Sequence, residues 1–208
     1  MSEEAVSVVP VPGWFGKLPS LGDFASRRLP GSFVQPWDRW LQRGMVAARA
    51  ALGESRWLDT YLVAPVLRFW LAPGVLGNPG WAGLMMPSTD RVGRHFPLTV
   101  ARADGSLAST LAAREWYRAL DHAARQVLDV NFGVDDFEQA LAGLPHDSHA
   151  SATDGDAASL ASDLAGGHAA HGPISLWWCG DAAADTAFRR FAGLPPDTDF
   201  AALLGAAP

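Results

Sequence analysis

Cysteine and lysine are almost missing from this chain. Cys179 is the one cysteine in 208 residues. No internal disulfide can form, and a thiolate zinc site is excluded. A single thiol suits a reducing compartment. Lys17 is the one lysine. Basic residues number 16 against 22 acidic ones, a formal net charge of −6. Nucleic-acid binders carry a basic face or stripe, and anionic membrane surfaces attract clusters of Lys and Arg. The chain has neither, so no nucleic acid and no membrane surface is expected as a partner. No apolar run approaches the roughly 18 residues that mark a membrane-spanning helix. The opening MSEEAVSVV is acidic, with no basic start and no long apolar core, so it does not read as a secretory signal. A soluble cytoplasmic protein is the expectation.

Tryptophan is abundant, at nine residues. Each indole brings a large apolar surface and an N–H that needs a partner, which marks cores and interfaces. Hydrophobic residues make up 49% of the chain, near the average for soluble domains. A chain of this length buries roughly 70% of its unfolded surface without staples. Pro10 and Pro12 make residues 1–12 an extended tail or edge segment. Residues 13–208 read as a single domain. Residues 146–172, rich in Ala, Ser, Asp, Gly and His, read as a surface insertion with one weak helical turn near 156–165.

Local patterns predict a strand near 13–17, then a turn at Pro19 and Gly22. A helix is predicted over 32–52, with Ser32 and Gln35 as a capping box. Pro36 is tolerable there only within the first turn. Trp37, Trp40, Leu41, Met45, Ala48 and Leu52 share one face of that helix. Strands follow at 66–71, about 81–87 and about 95–102, rich in branched and aromatic residues. A second amphipathic helix is predicted over 110–130 and a short one near 135–142, ended by Gly143 and Pro145. A strand at 174–179, a helix at about 182–192 ended by Gly193, and a last turn at 200–204 complete the pattern. Trp177 and Trp178 point to opposite faces of their strand, so at most one is easily core and the other needs a helix over it, a partner or a partly wet site, the helix being the plainest reading. The fold class is α/β in the α+β sense, a mostly antiparallel sheet of about five strands with helices packed on its faces.

The densest chemistry lies in Trp81 to Leu98, WAGLMMPSTDRVGRHFPL. Ser88, Asp90 and His95 have the residue types of a nucleophile, an orienting acid and a base. That would suit a hydrolase or phosphatase. Triads gather from distant segments, however, and no G-x-S-x-G elbow is present. Asp90 with Arg91 and Arg94 suits either an internal ion pair or a small-anion site. Lys17, Ser20 and Asp23 lie in a Gly-containing turn without the phosphate-loop pattern; Asp23 bonding local backbone N–H groups is the plainer reading. His146, Asp147, His149, Asp154, Asp156, His168 and His171 show no helical pairing suited to a metal, and a loop loses much entropy in organising ligands. No metal or cofactor is expected. The physical expectation is that residues 13–30 and 81–98 meet in space, with Asp23 or Asp90 paired to Arg91 or Arg94.

Taken together, GWFGKLPSLGDFASRRLP, SFVQPWDRWLQ, RFWLAPG, WAGLMMPSTDRVGRHFPLT and SLWW resemble the TagF/ImpM family associated with type VI secretion in Gram-negative bacteria. The resemblance covers about residues 13–205 and is most specific at 13–30 and 81–98. It implies a cytoplasmic, non-enzymatic α/β accessory protein that restrains secretion after translation by engaging a forkhead-associated scaffold protein, in opposition to a threonine-phosphorylation pathway. Some relatives are fused to a phosphatase domain. By the resemblance, Lys17, Ser20, Asp23, Ser88, Asp90, Arg91 and Arg94 form the partner-binding or structural motif. His95 departs from the family pattern, which usually has an aromatic there.

Overall fold

A computed structural model describes residues 11–145, 155–166, 172–182 and 186–205. One seven-stranded sheet organises it, in the order β2-β1-β5-β4-β3-β6-β7, and every neighbouring pair is antiparallel. The central strands are β3 (Leu67–Leu71), β4 (Trp81–Met86) and β5 (Leu98–Ala103). On one side lie β1 (Gly13–Gly16) and the short β2 (Ala25–Arg27). On the other lie β6 (Ile174–Trp178) and β7 (Arg189–Ala192). The expected antiparallel α+β class holds. β2 and β7 bring the strand number from about five to seven.

Alternation along the strands divides the apolar residues between two faces. Trp14, Trp70, Leu84, Val100 and Trp178 join one core. Phe15, Phe69, Met85, Ala101 and Trp177 join the other. Both tryptophans of β6 are therefore buried, one on each face. The first core is covered by α3 (Leu107–Ala112), α4 (Arg114–Gln126), α5 (Val134–Ala142) and α6 (Gly155–Ala165), through residues such as Leu111, Trp116, Phe137 and Ala161. The second is covered by α1 (Gly31–Leu52), α2 (Glu54–Leu62) and α7 (Phe200–Leu203), through Trp37, Trp40, Trp57 and Phe200. A sheet covered on both faces has no polar side, so its central strands are largely apolar along their length, unbroken in β4 and interrupted by Arg68 in β3 and by Thr99 and Arg102 in β5.

Three buried indoles of this second core find partners, while Trp57 Nε1 has none among the described residues. Trp37 Nε1 donates to Thr99 Oγ1 at 2.9 Å, Trp40 Nε1 to the Pro195 carbonyl at 2.8 Å, and Trp177 Nε1 to Ser175 Oγ at 3.0 Å. Ser175 Oγ donates onward to the Gly193 carbonyl at 2.6 Å. Thr99 and Ser175 are fully buried polar residues on β5 and β6. They keep the tryptophan N–H groups from the desolvation cost of an unmade bond.

Several local expectations give way to this packing. α1 begins after Pro30 with no side-chain cap, so Ser32 and Gln35 do not form the expected box. Pro36 lies beyond the first turn, yet the helix runs through it. The flanking buried Phe33 and Trp37 hold it against the sheet. The helix expected over 110–130 is two helices, broken at Ala113. The break lets Leu107 and Leu111 of the first and Trp116 and Leu120 of the second reach the same core. Gly143 ends α5 at φ −86° without the left-handed cap. The weak turn near 156–165 is an eleven-residue helix, α6, with Ala157 and Ala161 buried. The helix expected at 182–192 is instead strand β7 over 189–192, while 183–185 lie outside the described residues. Pairing with β6, Ile174 to Ala192 through Trp177 to Arg189, satisfies backbone groups that a local helix would leave open on β6. The rest of the 146–172 segment, including His146, Asp147, His149, Asp154, His168 and His171, lies outside the described residues.

Gly44 shows how closely α1 and α7 pack. A Cβ placed on it would lie 2.2 Å from the Phe200 ring. Gly44→Ala is expected to overpack this contact and cost about 1–3 kcal/mol. Val46→Ala, on the exposed face of the same helix, is expected to stay within about 0.5 kcal/mol of wild type. Urea unfolding of both variants checks the contrast.

Candidate functional site: a buried carboxylate lock

The connection between β4 and β5 folds back on itself. Thr89 and His95 form an isolated antiparallel bridge. Asp90 N donates to the Arg94 carbonyl at 3.1 Å, and Gly93 N to the Asp90 carbonyl at 2.9 Å. Gly93 sits at φ +81°, in the left-handed region that closes this tight loop. The loop turns the Asp90 side chain inward, where it is fully buried.

Four donors meet that carboxylate. Val92 N and Arg94 N donate to Oδ1 at 3.1 and 2.9 Å. Arg94 Nε and Lys17 Nζ approach Oδ2 at 2.6 and 3.0 Å. Lys17 is itself buried, so the pair is an ion pair withdrawn from water. Such a pair is stable only when every lone pair and proton is satisfied, and here the loop backbone supplies the remaining donors. Burial by itself would raise the pKa of Asp90. The bonds from the Arg94 backbone, Lys17, the Arg94 side chain and Val92 outweigh it and hold the carboxyl well below the usual carboxylate range.

The loop is fastened to the β1–β2 turn by further contacts. Ser88 Oγ donates to the Lys17 carbonyl at 2.7 Å, Arg91 N to the Leu21 carbonyl at 2.8 Å, and Arg94 Nη2 to the Gly22 carbonyl at 2.7 Å. From the helical side, the Tyr61 hydroxyl accepts from Ser88 N at 3.0 Å and donates to the Ser88 carbonyl at 2.9 Å. Its burial pushes that hydroxyl above the ordinary tyrosine range. The structure thus brings Lys17, Ser88, Asp90 and Arg94 together. Asp23 stands apart and accepts from the neighbouring Phe24 N at 2.8 Å. Arg91 is exposed, and its guanidinium has no hydrogen bond or ion pair among the described residues. Ser20 Oγ is buried without a partner. Lys17 is the partner of Asp90 that charge counting passed over, because pairing was sought among the neighbouring arginines. Its rarity was the available signal: a single lysine beside an otherwise Arg-based chain.

The three residues with triad chemistry are engaged separately. Ser88 Oγ donates to a backbone carbonyl, and Asp90 to no base at all, being wholly an acceptor of the four bonds above. His95 stands edge-on to Trp57 at 5.9 Å and to Tyr61 at 5.5 Å, filling an aromatic's place. Desolvation, then Arg49 and Lys17, lower its pKa against the opposing pull of Asp90. Among the described residues no group of three or more His, Cys, Asp or Glu side chains could hold a metal ion. No helix among them is long and apolar enough to cross a membrane.

A second ion cluster sits at the far end of the sheet. Buried Arg68 reaches Asp181 at 3.0 Å, Arg118 reaches the same carboxylate at 2.7 Å, and the Arg68 guanidinium lies 5.1 Å from the Tyr117 ring centre. It pins the turn after β6 to α4.

An antiparallel sheet clad by helices, with its two polar turns welded by a Lys–Asp–Arg cluster around a buried carboxylate, defines an α+β domain. A sequence model of the TagF N-terminal domain, Type VI secretion system-associated, matches residues 13–144. The chain belongs to the TagF family. The crystal structure of PA0076 from Pseudomonas aeruginosa PAO1 is similar, at 37% identity and a TM-score of 0.76, covering 95% of this chain and 96% of that one. The search of curated proteins returned no match.

Removing the Tyr61 hydroxyl by Tyr61→Phe strips two bonds from the buried Ser88 backbone and is expected to cost about 1–3 kcal/mol, measured by urea unfolding. Acid titration reads Asp90. Its folded value is depressed, so its stabilisation is present above the unfolded value of about 4 and is lost as pH falls through the folded value. Asp90→Asn should be the weaker fold at pH 7, with the gap closing as pH drops below about 4. His95 is also depressed, so its contribution is present above about pH 6.5 and is lost as pH falls. His95→Tyr should flatten the unfolding midpoint between pH 7 and 5.

Proposed function

We propose that this type VI secretion-associated chain is a non-enzymatic, cytoplasmic negative regulator. It acts after translation, by binding a forkhead-associated scaffold protein. The observation that carries this reading is the commitment of the polar side chains in the two most specific segments. Lys17, Ser88 and Asp90 spend their bonding capacity on one another, on Arg94 and on backbone. Chemistry needs groups held ready for a substrate, whereas an interaction module needs a stiff surface. Arg91 and Val92, exposed at the loop tip, are such a surface.

The test is capture from the native cytoplasm with tagged full-length chain, beside an Arg91→Glu/Val92→Asp variant that leaves the lock residues in place. Enrichment of the forkhead-associated protein by wild type, reduced several-fold by the variant, is the expected result. Absence of that protein under conditions where secretion is repressed overturns the reading. Turnover of a generic phosphate or acyl ester that disappears in both Ser88→Ala and His95→Ala would instead establish the hydrolase alternative.

A further inference from the structure

Beside the lock, on the side facing α1, a cavity of about 480 Å³ opens to the surface. Arg49 and Arg94 bring the charge of its lining, and no carboxylate is among the lining residues. These two guanidiniums are the charged groups that face the groove in a chain with a net charge of −6. Glu54 pairs with Arg49 Nη2 at 2.5 Å, and Asp90 holds Arg94 Nε from beneath. Each guanidinium keeps an Nη1 with no hydrogen bond among the described residues, and both side chains are more than half exposed. Arg49 also lies 4.6 Å from the Trp57 ring centre, which fixes its plane.

The remaining lining is Gln42 and His95 with an apolar wall. Met45, Val46 and Phe96 form the wall. Val46 is 71% exposed. It projects from the face of α1 opposite the buried stripe of Trp37, Trp40, Leu41 and Ala48, where a polar residue would ordinarily stand. An aliphatic ledge beside two oriented guanidiniums selects a ligand that carries an apolar side chain next to an anion.

We infer that this groove docks an acidic, apolar peptide segment of a protein partner: a Glu or Asp side chain on Arg49 and Arg94, and a neighbouring Leu, Ile or Phe against Val46 and Met45. Arginine-based capture of a carboxylate is a recurring mode of peptide recognition. The inference rests on the chain's being an interaction module. The groove is set into α1 and the lock, so it is preformed, and binding needs no ordering of loops.

A random twelve-residue peptide library displayed on phage, panned on the full chain and counter-selected on Val46→Glu/Arg49→Glu, tests it without any scaffold protein. Failure of the groove and failure of the scaffold capture are therefore separate results. Enriched peptides are expected to carry Asp or Glu within three positions of Leu, Ile or Phe. A synthetic copy should lose about tenfold in affinity on Glu→Gln, and about as much against the double variant at an unchanged unfolding midpoint. If the double variant unfolds, Arg49→Ala and Val46→Ser, tested singly, carry the comparison. No enrichment over the variant, enrichment of neutral or basic peptides, or binding that requires phosphothreonine in place of the acid would each overturn the inference.

Discussion

A carboxylate with no access to water must be answered by donors on all sides, and Asp90 sets that condition for the rest of the molecule. Its answer comes from two separate stretches of chain: the loop that carries it, and Lys17 at the end of β1. Satisfying it therefore forces the β1–β2 turn and the β4–β5 connection together. β1 pairs with β5 directly, so the lock closes a short circuit around three strands. Removing Asp90 leaves Lys17 buried without its counter-charge, and removing Lys17 leaves Asp90 short of a donor, which costs more than the pair contributes when whole.

Away from the lock, the sheet is held by aromatic packing on both faces. On the α1 side, Trp37 stacks parallel to Trp177 at 5.9 Å, with Trp40 and Phe69 tilted against them. Offset and tilted rings of this kind add to the apolar area they bury. Thr99 and Ser175, placed among them, give the indoles a single hydrogen-bonded orientation. Packing makes that core stable, and the polar bonds make it unique.

Much of this was legible in the residues. The strand periodicity of β3, β4, β5 and β6, the two-sided burial demanded by Trp177 and Trp178, and the stripe on α1 all follow from local spacing. What failed was decided by distant partners. β7 exists because β6 needed a neighbour, and nothing in AFRRFAG tells a helix from an edge strand. Ala113 breaks a continuous amphipathic pattern because two helices reach the core better than one straight one. In the site, the meeting of the two turns was readable from their charge. The choice of Lys17 was not, since it depends on a register fixed by β1 pairing with β5. The groove beside α1 was invisible for a similar reason: Val46 and Arg49 look like ordinary surface until the lock loop is laid beside them.

Lys17 carries the chain's one side-chain amine, and that amine is tied down. Acylating reagents and lysine-specific proteases therefore share one side-chain target, and they find it when the lock opens. A cut after this residue divides the chain once, between β1 and the turn that holds the loop. The molecule thus contains a built-in reporter: where opening is fast relative to labelling, the rate of Lys17 modification divided by that of a free lysine gives the fraction of time its central ion pair is apart.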